Sequence, residues 1–326
     1  MLTSLIVLAA MATSPPTREL NITVNPANIT TRVTPFMYGS GIESYENQMY
    51  GGIWSNMLYD SSFEDTAPFS PQQRGSYGGR STAQSWYLAP SSAPGACAVA
   101  NTQAFNGNKS LRLDAGCTLR NRGLVATQGA SSMHFVGAKS YEGYIFATSP
   151  SGSTIRITAL CTAIGDFTSE GRVLGTVDVD VQASSDWNQY NFTFNASASC
   201  LQGSSARTTP SANGQGLVQV ALMPGSASPT LLDELMFEPG EWGRYKGMHV
   251  RKDLADVFLD QRPTIMRLGG SMTNSIGFRW RYMVGPVWSR PPTDSMWLKN
   301  TLWGFGIFEF LQFAESAGIE PVRWCW

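Results

Sequence analysis

The stretch from Val250 to Ser271 constrains the fold more than any other. Val250, Leu254, Val257 and Phe258 fall at i, i+4, i+7 and i+8, the spacing of one helical face. Pro263 limits how far that helix can run. Thr264-Ile-Met-Arg-Leu268 is short, mostly apolar and rich in strand formers, as a buried strand is. It ends in Gly269-Gly270, a pair that lets backbone turn sharply or approach a ligand closely. Helix, buried strand and glycine-cornered loop make up the repeating unit of a β/α barrel, in which the loops after the strands carry the chemistry. The order recurs downstream. Ile307, Phe310, Leu311 and Ala314 form a second helical stripe, and Gly318 is suited to end it in the left-handed conformation. Pro321 to Trp326 then begins another strand, so the chain reads as cut within a strand.

Between about residues 67 and 236 the texture changes. Ser, Thr, Gly and Pro punctuate short alternating runs at Ser110–Leu113, Tyr141–Ala147, Thr154–Leu160, Val177–Val181, Trp187–Phe194, Leu217–Leu222 and Leu231–Phe237. Many short strands with frequent turns predict an antiparallel β-sandwich or jelly roll. Leu20–Val24 also alternates and predicts a strand. No repeat occurs at a solenoid period. With a net charge of −1 and 14% charged residues, nothing points to nucleic acid or an anionic membrane as partner.

Leu2 to Ala12 is apolar and closes with Ala-Met-Ala, as a secretory signal does, and it is too short to span a bilayer. Asn21, Asn28, Asn108, Asn191 and Asn195 each begin a glycosylation sequon, which favours the same secretory, extracellular route. Cys97 with Cys117, and Cys161 with Cys200, are expected as disulfides, although sequence alone does not derive connectivity. Cys325 is left over. No spacing resembles a zinc site, and His134 and His249 are too few for a histidine-based metal centre. No cofactor or metal is expected.

Six blocks, in order, resemble the eukaryotic-type α-L-arabinofuranosidases of glycoside hydrolase family 51. They are Met248–Asp256, Ile265–Gly270, Phe278–Trp280, Gly285-Pro286, Arg290-Pro291 and Phe305–Glu315. Tyr38–Glu43, Gly51–Trp54 and Asp60–Glu64 resemble the same family's first barrel strand and the loop after it. The resemblance implies an incomplete (β/α)8 TIM barrel, its first three strands only, with the β-domain inserted between strands one and two as a carbohydrate-binding-module-like unit. The boundaries are then 1–12 for the signal peptide, 13–66 for the N-terminal strand and first barrel strand, 67–236 for the inserted module, and 237–326 for barrel strands two and three. Leu20–Val24 would pair with a β-sandwich that these residues do not include.

Retaining glycosidases set two carboxyl groups about 5–5.5 Å apart, one as acid/base and one as nucleophile. The family's acid/base glutamate follows an Asn, yet no Asn-Glu pair occurs in this chain. Both catalytic glutamates are therefore expected beyond Trp326, and the 326 residues are expected to be inactive alone. Glu43, Arg267, Gly269, Gly270 and Ser271 are the expected substrate-binding residues. Glu43 matches the strand-one glutamate that bonds arabinose hydroxyls, or else is a plain loop carboxylate. Arg267 matches the arginine beside the nucleophile, where it would keep a carboxylate ionised; alone it could serve a structural ion pair. Ser271 stands where the family has Asn or Cys, and Leu268 replaces a Pro.

Trp280, Trp324, Trp86, Tyr87 and Trp187 could stack on sugars, but core packing is the expectation for each. Glu309 and Glu315 are expected as solvated helix charges, and Asp178 and Asp180 as the wet face of a strand. Asp233 could contribute to a cation site, although further ligands are not evident. The function expected is release of terminal arabinofuranose from arabinan or arabinoxylan. The alternatives are a non-catalytic glycan-binding protein or an inactive relative, and the oligomeric state is open.

Overall fold

Two periodicities divide the chain, and each builds its own layer. The computed structural model describes residues 23, 25, 27, 31–43, 48–64, 74–77, 80–83, 85–123, 133–166, 168–200, 214–226, 229–270, 273, 278–293 and 303–322. Residues 1–35 form a unit of their own, in which the Asn25 side chain accepts a hydrogen bond from the Ala27 N–H at 3.0 Å. The elements that follow all belong to residues 36–326.

The helical periodicity belongs to the outer segments. Strand β1 (Gly39–Ile42), β14 (Ile265–Leu268) and β15 (Glu320–Val322) form a parallel three-stranded sheet in that order. Helix α1 (Lys252–Asp260) precedes β14 and α2 (Ile307–Ala317) precedes β15, so each parallel crossover is helical. Helix α2 buries Phe310, Phe313 and Ala314, and ends at Gly318 with φ 69°, in the left-handed region. The expected stripe of α1 is out of phase. Val257 is 62% exposed and Leu254 37%, while Ala255 is buried and Phe258 and Leu259 pack on the apolar cluster. A residue at i+3 and i+4 from Ala255 shares its face, and that face meets the apolar cluster, Phe258 lying against Phe313 of α2.

Period-two alternation fills the middle. Strands β2 (Arg74–Tyr77) and β3 (Arg80–Ala83) pair as an antiparallel two-stranded sheet. One five-stranded antiparallel sheet runs β10 (Arg172–Val181), β9 (Ser153–Thr162), β12 (Gln215–Leu222), β7 (Thr118–Asn121), β4 (Trp86–Leu88). The other runs β11 (Ser184–Ala196), β8 (Lys139–Ser149), β13 (Thr230–Pro239), β6 (Ser110–Leu113), β5 (Cys97–Ala100). Leu111, Ile145, Leu232 and Phe237 of the second sheet share one core with Trp86, Leu119, Ile157 and Val220 of the first, which makes a β-sandwich. On β11, Phe192, Phe194 and Ala196 are buried while Asn191, Thr193 and Asn195 are exposed. Asp178 and Asp180 lie on the wet side of β10, where Asp178 pairs with Arg156 at 2.7 Å and Asp180 accepts from the Thr154 hydroxyl at 2.8 Å. Trp86 and Tyr87 are fully buried. Cys97 is joined to Cys117, and Cys161 to Cys200.

The segment after β1 fastens the sandwich. Met57 N–H donates to Phe237 O at 2.8 Å and Leu235 N–H to Ser61 O at 3.0 Å. The Trp86 indole donates to Asp60 O at 2.8 Å, and the Asn121 amide to Tyr59 O at 2.9 Å. No helix among the described residues is long and apolar enough to cross a membrane.

Candidate functional site

Alternation carries residues 41, 43 and 267 to one face of the parallel sheet. Gly41 stands opposite Arg267 in the β1–β14 register, and Glu43, two residues on, projects to the same side. Met266 and Leu268 are buried in the cluster beneath the helices. Glu43 follows the C-terminal end of β1 and Gly269 that of β14, with the Gly269 N–H donating to Ile42 O at 2.8 Å. There Arg267 Nη2 lies 4.0 Å from Glu43 Oε1, the two side chains being 41% and 21% exposed.

The guanidinium lies across β1 at Gly41, where an added Cβ would stand in ordinary contact with it, 3.4 Å from Arg267 Nη2 and 3.5 Å from its Nε. At Gly270 a Cβ would overlap the Glu43 carboxylate. Gln48 completes the corner, its Oε1 accepting the Glu43 N–H at 3.0 Å. At 4.0 Å the ion pair is outside direct hydrogen-bond range. A carboxylate that accepts beside a guanidinium that donates matches neighbouring hydroxyls of a sugar. Among the described residues, the C-terminal ends of β1, β14 and β15 bring together one carboxylate and one guanidinium. Double displacement needs two carboxyl groups.

A second cluster holds the loop after β14 against the sandwich. Arg290, 2% exposed, forks onto Glu309 at 2.6 and 3.0 Å and donates to Gly285 O at 2.8 Å. Glu309 Oε2 in turn accepts the Gly306 N–H at 2.8 Å and so caps α2. Glu309 is thus an anchored carboxylate and not the solvated charge expected of it, because its first-turn position faces a buried cation. The Asn106 amide, on the sandwich, donates to Trp288 O at 3.1 Å, Arg290 O at 2.7 Å and Glu234 Oε1 at 2.7 Å.

Behind Asn106 lie buried acids. Asp233 Oδ2 accepts the Phe105 and Asn106 N–H groups at 2.9 and 3.1 Å, and Oδ1 accepts that of Glu234 at 2.8 Å. Burial pushes Asp233 up to about 7. Burial, then the nearby Asp233 charge, holds Glu234 well above the usual carboxylate range. Asp233 therefore serves as a loop clamp, and among the described residues no group of three His, Cys, Asp or Glu side chains is placed to hold a metal. Trp280 departs further from expectation. It is 66% exposed, on a turn whose next core anchor is the buried Met283, so the core is filled without it.

Comparison with known proteins bears on this geometry. Residues 257–326 match the family model described as the alpha-L-arabinofuranosidase 1 domain. An extracellular exo-α-L-arabinofuranosidase from Streptomyces chartreusis is 24% identical over 93% of this chain and 34% of its own length. α-L-Arabinofuranosidase 2 from Arabidopsis thaliana is 23% identical over 93% of this chain and 42% of its own. A solved, arabinose-bound family 51 α-L-arabinofuranosidase superposes with a TM-score of 0.63 at 18% identity, covering 89% of this chain and 44% of that one. The chain is a relative of the α-L-arabinofuranosidases. It spans less than half the length of these relatives.

In this arabinofuranosidase relative, Glu43, Arg267, Gly269 and Gly270 converge at one sheet end, whereas Ser271, Trp324, Cys325, Asn21 and Asn28 lie outside the described residues. Asn108, Asn191 and Asn195 are exposed. Sequence reasoning missed Gly41, Gln48, Arg290 and Asn106. Gly41 was findable, since a glycine two residues before Glu43 in a strand shares its face; the other three act through pairings that no spacing announces.

Proposed function

We propose that this chain forms the sugar-binding side of a secreted α-L-arabinofuranosidase, one that removes terminal arabinofuranose from arabinan or arabinoxylan with retention. In this reading β1, β14 and β15 are the first three strands of a (β/α)8 barrel, and residues 67–236 are a module inserted between the first two. Glu43 accepts from arabinose hydroxyls. Arg267 steadies the sugar and keeps the neighbouring carboxylates ionised, and Gly269 to Ser271 let backbone approach the ring. The acid/base and nucleophilic glutamates come from other strands, and these 326 residues alone do not turn substrate over. The disulfides and exposed sequons favour an oxidising, extracellular setting.

The observation that carries this reading is the placement of Glu43 against Arg267, across Gly41 and beside Gly270, at the end of a parallel sheet where β/α enzymes hold substrate. The test is twofold. 4-Nitrophenyl α-L-arabinofuranoside should give no release with the purified chain, and steady turnover would refute the inactivity. Calorimetric titration should show methyl α-L-arabinofuranoside binding in preference to methyl β-D-xylopyranoside. Equal affinity for the two sinks the arabinose reading. A non-catalytic glycan-binding protein, the second reading, predicts methyl α-L-arabinofuranoside binding that survives Glu43→Gln.

A further inference from the structure

Away from Glu43 and Arg267, a cleft of about 510 Å³ opens between the sandwich, the loop after β14 and the outer side of α2. It is of the size and position that small-ligand sites favour, mixed in lining and set where two layers join. Its walls carry Tyr144 and Met236 from the sandwich, Trp288 from the loop, and Phe308 and Gln312 from α2. Trp288 is held edge-to-face on Tyr144, with ring centroids 5.6 Å apart, and Phe308 is 52% exposed although it is a large apolar side chain.

The charges at the cleft are already answered from within. Arg290 is forked onto Glu309. His249 Nδ1 lies 2.9 and 3.0 Å from the two oxygens of Glu238, which also accepts Arg244 Nη1 at 2.9 Å. Lys246 donates to Ser316 O at 2.5 Å. An ionic ligand would find no unpaired buried charge to meet it. Uncharged capacity does remain. Among the described residues the Tyr144 hydroxyl, the Gln312 amide and His249 Nε2 make no hydrogen bond, while Nδ1 of His249 is committed. Neutral donors and acceptors between aromatic walls suit a ligand with many hydroxyls and apolar C–H faces.

We propose that this cleft binds a neutral oligosaccharide segment, with Tyr144, His249 and Gln312 supplying hydrogen bonds and Trp288 and Phe308 the ring faces. The site is separate from the strand-end pair, and it rests on the arabinofuranosidase reading only for the choice of saccharides. A polysaccharide held there would be gripped by both layers of the molecule at once.

Calorimetric titration of the 326-residue chain with α-1,5-arabinohexaose and with xylohexaose tests this. At least one should bind, and Tyr144→Phe and Gln312→Ala should each weaken it about two- to tenfold, the loss of one neutral hydrogen bond. Phe308→Ala should weaken it about tenfold. Phe308 and Gln312 are exposed, so both variants fold, which thermal melts will verify. Glu43→Gln should leave hexasaccharide binding in place. Unchanged affinity in all three cleft variants overturns the proposal, as does binding of hexagalacturonate but of neither neutral probe. Loss of binding in Glu43→Gln with silent cleft variants overturns the cleft and spares the arabinofuranosidase reading. The reverse pattern is the expected one, and failure of the arabinofuranosidase reading shows separately, as equal affinity for methyl α-L-arabinofuranoside and methyl β-D-xylopyranoside.

Discussion

Gly270 shows how much of this site depends on atoms that are not there. The Glu43 carboxylate occupies the space a side chain at 270 would need, so Gly270→Ala must move the acid, the loop or both. The displaced atoms are the far end of a flexible side chain, so the fold gives way cheaply. We predict a melting temperature close to the parent's and a marked loss of methyl α-L-arabinofuranoside affinity, read by melts and titration on the same sample. Unaltered affinity would mean that Glu43 takes no part. Glu234 supports a prediction of another kind. Its pKa is raised above the usual 4.5, by burial first, so the folded protein holds a proton that the unfolded chain releases. The stability tied to that proton is present at low pH and declines as pH rises through the shifted value. Glu234→Gln resembles the protonated form and can still accept from Asn106. Its melting temperature should match the parent near about pH 5 and exceed it near about pH 8. Parallel curves across that range would contradict the assignment.

At the scale of elements, legibility followed burial. Long strands with one wet face, such as β10 and β11, announce themselves, because exposed and buried residues alternate along them. Strand β7 does not. Its Arg120 and Asn121 are fully buried and satisfied by distant partners, Gln219 and Glu170 for Arg120 and Tyr59 O for Asn121. A polar buried run carries no alternation to read. Helix α1 was located correctly but its buried face was not, since Leu254 and Val257 look as apolar as Phe258 and only packing distinguishes them. The turn carrying Trp280 failed for the same reason. The Arg290–Glu309 pair is invisible from spacing, yet it joins the loop after β14 to the start of α2. Removing one partner of a buried ion pair strands the other, at about 3–5 kcal/mol. Arg290→Met should therefore cost about 3 kcal/mol or more in denaturant unfolding, whereas Glu315→Gln, on the exposed side of the same helix, should cost almost nothing. Equal effects would show that the pair is ornamental.

For the whole molecule, the sandwich acts as a buttress. The segment 55–64, farther along the chain after β1, runs beside β13, and Asn106 clasps the loop after β14, so both connections are tied to the same β-layer. That arrangement explains why a β-rich body interrupts a β/α sheet without disturbing its order: it enters after β1 and returns before α1, leaving β1 and β14 adjacent. The most direct test is a crystal structure of this chain soaked with methyl α-L-arabinofuranoside. The account predicts furanoside density between the tips of Glu43 and Arg267, within hydrogen-bond distance of both. Density confined to the sandwich, or an empty strand-end pair at saturating ligand, would contradict it.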